Sequence, residues 1–482
     1  MASKRDQLQS YQFLVQRVVS ALVVRETDPE QPPFRKPAAA ALGSVALAIL
    51  VLAGFGIFGL ISPGGKNGWR DGESIIVEKE TGTRFVYAEG RLHPVTNYVS
   101  ALLALNRNAA LTTVSRKSLA DVPRGPRIGI GDAPDSLPGP SGVLTGSWSI
   151  CSVPDTDETG APVAESVLMV GTAPGGGRQL GGQKVGDALL VAVRGSGDQY
   201  LLWNGYRHRI AAADAVTLGP VLRSEPWATI GSELVDALPL GEPLRPIRVA
   251  EVGQPSRAVP SKAVRAGQVL VMTAAGGSAQ YFLAERDALR PISELQYEIQ
   301  LAFAPTATAY GGRQPVGVPL GLMEAGRAKR SDPVRPTVGQ LPDNRPEFVT
   351  PPDAGPTMCA TFEPGQSVPR LSVDVALPAR DERTATAVST SRGTRLADRV
   401  VVPPGRVALV ETMSADSTPA PGLGLVSDLG IYYPLAGADV LETLGYAGSQ
   451  PVRMPASLVA RLPTGSPLDP STARRPVPTS LG

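Results

Sequence analysis

Two histidines are the first residues to weigh for chemistry, because imidazole is the side chain most often used for proton transfer near neutral pH. His93 lies in FVYAEGRLHPV and His208 in YLLWNGYRHRI, and the chain of 482 residues has no others. The only two cysteines, Cys151 and Cys359, sit in strand-like settings, SWSICSV and PTMCATF. They could serve as a disulfide, as metal ligands or as separate buried thiols. Neither C-x-x-C nor H-x-x-x-H spacing occurs, so the residues make no metal site. Two glycine runs invite comparison with a phosphate-binding loop. In GGGRQLGGQKVG (175–186) Lys184 does not follow a glycine and no hydroxyl comes after it. PGGKNG, with Gly65 and Lys66, lacks the upstream glycine and the hydroxyl. Both read as turns, since a phosphate loop needs the lysine and the hydroxyl in place after its amide cradle.

The histidines belong to a repeat. Four stretches begin at Gly72, Gly186, Gly267 and Gly405. Each reads as a glycine turn, an aliphatic strand, a turn, a second strand with alternating apolar residues, a tight turn and a short third strand. The first two copies align without a gap, Phe85 on Tyr200 and His93 on His208, and the other copies place Arg290 and Tyr433 near that position. A slot that takes His, Arg or Tyr is the edge of a hairpin, with no nucleophile and base pair around it. Each of three copies later has a short helical segment and a Pro/Gly tail: VPRGP (122–126), LPLGEP (238–243) and LPTGSP (462–467). Proline and glycine there end a helix. The third copy shows no clean version of this tail.

What positions these units is a membrane anchor. Residues 38–61 carry no charge and number about 24, enough to cross a hydrocarbon core of about 30 Å. The run starts too deep and is too long for a cleaved signal. Lys4, Arg5, Arg17, Arg25, Arg35 and Lys36 precede it, and only Lys66 and Arg70 follow closely. The richer flank stays inside, so the N-terminus is expected in the cytoplasm and the bulk of the chain outside. An oxidising exterior makes Cys151 and Cys359 a disulfide candidate. If they pair, the pieces around them form one discontinuous central domain.

Before the anchor, Leu8, Tyr11, Leu14, Val15, Val18, Val19 and Leu22 share one helical face. A lone amphipathic helix must lie on a membrane surface or dock on a partner. Its Asp6 and glutamines favour a protein partner. Overall, 46 basic and 44 acidic side chains give no footprint for nucleic acid. Gly 52 and Pro 47 with few aromatics indicate many short elements and modest cores.

The start RDQLQSYQFLVQRVVSALV, the single span, the block RFVYAEGRLHPVTNYVSALLAL, the WSIC segment and the second cysteine near 359 together resemble the EccB family of type VII (ESX) secretion systems, over essentially the whole chain. The resemblance implies a core component of the inner-membrane secretion complex with EccC-like, EccD-like and EccE-like partners and likeness to a cell-wall-binding module. It also implies homo-oligomeric assembly and bridged cysteines. Family members are often labelled ATPases; this chain lacks the loop that label needs, so no catalytic or cofactor-binding residue is carried over. Peptidoglycan binding and ATP hydrolysis stand as the alternative functions.

The expected fold is α+β: a single-span protein whose elongated outer region holds four small strand–hairpin–helix repeats around a discontinuous β-rich centre. The expected parts are a cytoplasmic helix and linker (1–37), the span (38–61), repeat one (62–140), the first central part (141–185), repeat two (186–260) and repeat three (261–309). An extended connector (310–356), the second central part (357–404), repeat four (405–470) and a flexible tail (471–482) complete the chain.

Overall fold

The computed structural model describes residues 3–23, 25, 35–61 and 68–477, apart from 182–186, 223–224, 275, 332–338, 352–354, 382–383, 388, 391–392 and 414–421. Two helices come first, Lys4–Val23 and Arg35–Ile61. Within the second, Ala38–Ile57 is long and apolar enough to cross a membrane, and none of it is buried in the protein.

Each repeat is a four-stranded sheet in the order third–second–first–fourth. In repeat one the strands are Ile75–Glu78, Arg84–Ala88, Arg91–Pro94 and Leu111–Val114. The first three form a meander, and Gly90 closes its second turn at a φ of 74° that only glycine adopts cheaply. Helix Tyr98–Leu105 then crosses over, so the fourth strand lies parallel to the first, as a helical crossover requires. The helix starts where the Asn97 side chain accepts the Ser100 amide at 2.8 Å, and ends at Asn106 in the left-handed region. The same plan recurs in repeat two (187–193, 199–203, 206–210, helix 212–222, 227–230) and repeat four (407–413, 423–426, 432–434, helix 439–443, 452–455). Repeat three has strands 269–273, 279–284 and 289–292 and helix 294–302.

Repeat three runs further than the sequence reading places it. Its fourth strand is Val318–Pro319, parallel to Val269–Thr273, and its following helix is Leu322–Arg327. The expected connector 310–356 therefore begins as part of a repeat and ends with Glu347–Phe348 paired to the first strand of repeat two. The tail expected to be free is partly docked as well. Helix Pro470–Ala473 packs on helix 98–105, and Pro476 bridges to Ile128. Residues 478–482 lie outside the described residues.

The centre is one six-stranded sheet, ordered 399–401, 162–169, 148–156, 358–362, 370–373, 178–179. Its two inner strands come from the two chain segments that hold the cysteines. Each inner strand begins a hairpin, and the short strand after each hairpin pairs with the other hairpin's outer strand. The segments entering the centre cross over in the same way: Val143–Leu144 pairs with repeat four, and Glu347–Phe348 with repeat two. The outer region is thus a pseudo-twofold arrangement of two half-chains that exchange strands.

Packing follows that exchange. Val99 and Leu102 of repeat one share a core with Leu441 and Leu444 of repeat four. Leu218 and Leu222 of repeat two share one with Leu295 and Ile299 of repeat three. Trp148, Ile150 and Phe362 of the central sheet are buried with Val191 of repeat two and Val410 of repeat four. The spatial order is therefore repeat one, repeat four, centre, repeat two, repeat three.

Candidate functional site

The two histidines close two different repeats and do not meet. The His208 ring is buried, and its Nδ1 lies 2.7 Å from the Glu242 carbonyl, to which it donates. His93 Nδ1 sits 3.2 Å from the Pro126 carbonyl. Burial pushes the His208 imidazole below its ordinary pKa, partly offset by that hydrogen bond. Its Nε2 has no partner among the described residues.

Each ring lies flat against the glycine of the repeat's tail. A Cβ on Gly125 would come 2.3 Å from the His93 ring, one on Gly241 2.4 Å from His208, and one on Gly465 2.3 Å from Tyr433. Two backbone bonds hold the tail there: in repeat two, Arg207 N donates to Pro239 O and Gly241 N to Arg207 O, both at 3.0 Å. Repeat three makes the same pair, Leu289 N to Lys329 O at 2.7 Å and Ser331 N to Leu289 O at 3.0 Å. So the third copy does have its tail, with Ser331 in the glycine position. No ring covers Ser331; the slot residue is Arg290, whose guanidinium turns to Glu285. Ring and glycine are present together or absent together, and the slot is a packing device. Tyr433 extends it, donating to Asp132 O of repeat one at 2.8 Å; burial first, then the Asp132 charge, pushes its phenol up to about 12.

Cys151 and Cys359 form a disulfide between the two inner strands of the central sheet. They are directly opposed in the antiparallel register, with Cα atoms 4.0 Å apart, the close spacing of a non-hydrogen-bonded pair. Both are fully buried beside Val167, Met169 and Val375. Close by, Arg399 pairs with Glu165 at 3.0 Å, both almost fully buried. The bridge therefore ties the half-chains at the pseudo-twofold axis.

The N-terminal helix presents Leu8, Tyr11, Leu14, Val15, Val18 and Leu22 as a largely uncovered row, from 41% exposed at Val15 to 78% at Leu22. Phe13, off that row, is exposed too.

The glycine run 175–186 is described only to Gly181. There it flanks strand Arg178–Gln179, and Gly177 lets the chain approach the Val373 carbonyl, which a Cβ would meet at 2.7 Å. Lys184 and residues 62–67 lie outside the described residues. Among the described residues no group of three or more His, Cys, Asp or Glu could hold a metal ion.

One organising residue carries no sequence signal. Arg345 pairs with Glu298 and, at 2.8 Å, with Glu225, and donates to Val221 O at 3.2 Å. It fastens the end of repeat two's helix to that of repeat three, although it sits in the Pro-rich stretch between Lys329 and Thr357.

Comparison with known proteins covers the same length. The family described as "Type VII secretion system ESX-1, transport TM domain B", EccB, matches residues 1–477. The ESX-2 secretion system ATPase EccB2 of Mycobacterium tuberculosis is 29% identical over 99% of this chain and 96% of its own. The ESX-3 secretion system ATPase EccB3 of Mycolicibacterium smegmatis is 28% identical over 96% and 89%. Among solved structures, the EccB3 dimer from the ESX-3 core complex has a TM-score of 0.63 at 25% identity, covering 83% of this chain and 99% of that one. A chain of the intact ESX-5 inner membrane complex reaches 0.64 at 24% identity, over 99% and 96%.

Proposed function

The chain belongs to the EccB family of type VII secretion systems, and from that premise we propose that it is a structural core component of the inner-membrane secretion complex. The helix Arg35–Ile61 anchors it, with the N-terminus in the cytoplasm as the basic flank directs. The outer repeats associate with further copies. The apolar face of Lys4–Val23 docks on cytoplasmic parts of EccC-, EccD- or EccE-like components.

The observation that carries the docking role is the row Leu8 to Leu22, apolar at helical spacing and uncovered. A helix of this length gains little from propensity alone and is stabilised by packing its apolar face. Repeats packed into one array through shared cores suit a scaffold. Relatives carry ATPase in their names; this chain's glycine runs lack the lysine–hydroxyl ending of a phosphate loop, and no residue here is given a hydrolytic role.

The test is substitution of the face. Leu14→Asp with Val18→Asp is expected to leave the protein in the membrane with its outer region folded, and to free it from the large complex on native gels. An unchanged complex would remove the docking role from this helix.

A further inference from the structure

The pseudo-twofold axis pairs two junctions that the sequence builds differently. Repeat four ends in Pro467-Leu468-Asp469-Pro470, and repeat two in Pro243-Leu244-Arg245-Pro246. The two leucines are equivalent: Leu468 N donates to Pro434 O at 2.7 Å, and Leu244 N to Arg209 O at 2.9 Å. After Leu468, the Asp469 carboxylate accepts the amides of Ser471 and Thr472 and starts helix Pro470–Ala473, which fills the groove against repeat one. Arginine cannot accept those bonds. After Leu244 the chain runs on without a helix, holding to repeat three through Gln296 and Gln300: the Gln296 amide donates to Arg245 O at 3.1 Å, and the Gln300 amide to Ile247 O at 3.1 Å.

A cleft of about 430 Å³ opens at this second junction, lined by Arg245, Arg248 and Arg290 together with Asp214 and Glu242. Arg290 is held by Glu285. Among the described residues no hydrogen bond or ion pair engages the guanidinium of Arg245 or Arg248. Each of the two free guanidinium groups presents a planar fork of donors suited to phosphate or carboxylate oxygens. Asp214, Glu242 and the Glu285 that holds Arg290 balance the three arginines, so the cleft carries no net positive charge. That favours a compact anion gripped at short range over a long polyanion drawn in by the field.

We propose that this cleft binds a compact multi-oxygen anion, a phosphate or carboxylate group, across the joint between repeats two and three. Arg245 and Arg248 approach it from the tail of repeat two and Arg290 from the hairpin of repeat three, so the ligand stiffens the joint that Arg345 already fastens. The proposal stands on this geometry and is independent of the scaffold reading.

The experiment uses the full chain in mild detergent and follows thermal unfolding with added pyrophosphate or citrate at constant ionic strength. A saturable rise in Tm is expected with at least one of them, since a ligand bound only by the folded state stabilises it. A response to pyrophosphate alone assigns a phosphate group, and to citrate alone a carboxylate. Arg245→Gln with Arg248→Gln should weaken the apparent Kd by about tenfold or more, the worth of a charge-assisted bond, while Arg91→Gln on repeat one's hairpin leaves it unchanged. If the double variant does not fold, Arg248→Gln alone, on an exposed side chain, is read the same way. No rise with either anion, or an equal rise in the arginine variants, would overturn the proposal.

Discussion

At the scale of the residue, the histidines that look catalytic are lids on glycines. The His208 ring occupies the space a Cβ on Gly241 would need, so Gly241→Ala should force the ring or the tail to move. A cost of about 1–3 kcal/mol is expected, as for overpacking elsewhere, read by denaturant unfolding of the outer region. Ser331→Ala, at the same position of repeat three where a Cβ already exists, should be nearly neutral. His208 also makes stability depend on pH. Its folded pKa lies below the ordinary value, so below about pH 6.5 the unfolded chain binds more protons than the folded one. Stability is complete above that pH and falls as the pH drops, by up to about 1.4 kcal/mol per unit. His208→Phe keeps a ring and removes the proton; its stability curve between neutral and mildly acid pH should be flatter than that of the parent. A parallel pair of curves would show that His208 does not titrate on unfolding.

At the scale of the element, strands and turns were legible where the pattern is local. The glycine starts, the alternating hairpins and the Pro/Gly tails of three repeats mark themselves within a few residues of chain. The third tail carries neither mark, because Ser331 stands in the glycine's place and Arg290 in the ring's, while the backbone bonds stay. The exchanged strands Val143–Leu144 and Glu347–Phe348 were illegible for another reason. Each is two residues long and is defined only by a partner far away in sequence. The same holds for Arg345, whose acids lie far off in the chain, Glu225 past the end of repeat two's helix and Glu298 on the helix of repeat three. The disulfide could be posed from the sequence as a candidate, but its place between the two inner strands needed the sheet. Because it closes a separation of 208 residues, replacing both cysteines by serine should cost up to about 5 kcal/mol in the chain-entropy model. Thermal unfolding of the oxidised parent against the double variant measures this. A difference near zero would mean that the strand exchange alone holds the halves together.

At the scale of the whole molecule, four repeats and a shared sheet join into one array, preceded by one helix long and apolar enough to cross a membrane and by one exposed amphipathic helix. The candidate span, the repeats and the family resemblance are legible in the sequence, because each is written in contiguous residues. The pseudo-twofold strand exchange that ties the repeats together is not legible there. A scaffold needs joined repeats together with a surface for partners, and the two lie on opposite sides of the candidate span in the proposed orientation. The most direct measurement is to solubilise the tagged full chain from its own membranes in mild detergent and determine the mass and composition of the native particle, with and without residues 1–37. The account predicts a large particle with several copies of this chain and other secretion-system membrane components, lost when residues 1–37 are removed. A lone monomer or dimer from the full chain, or a large particle indifferent to that deletion, would contradict it.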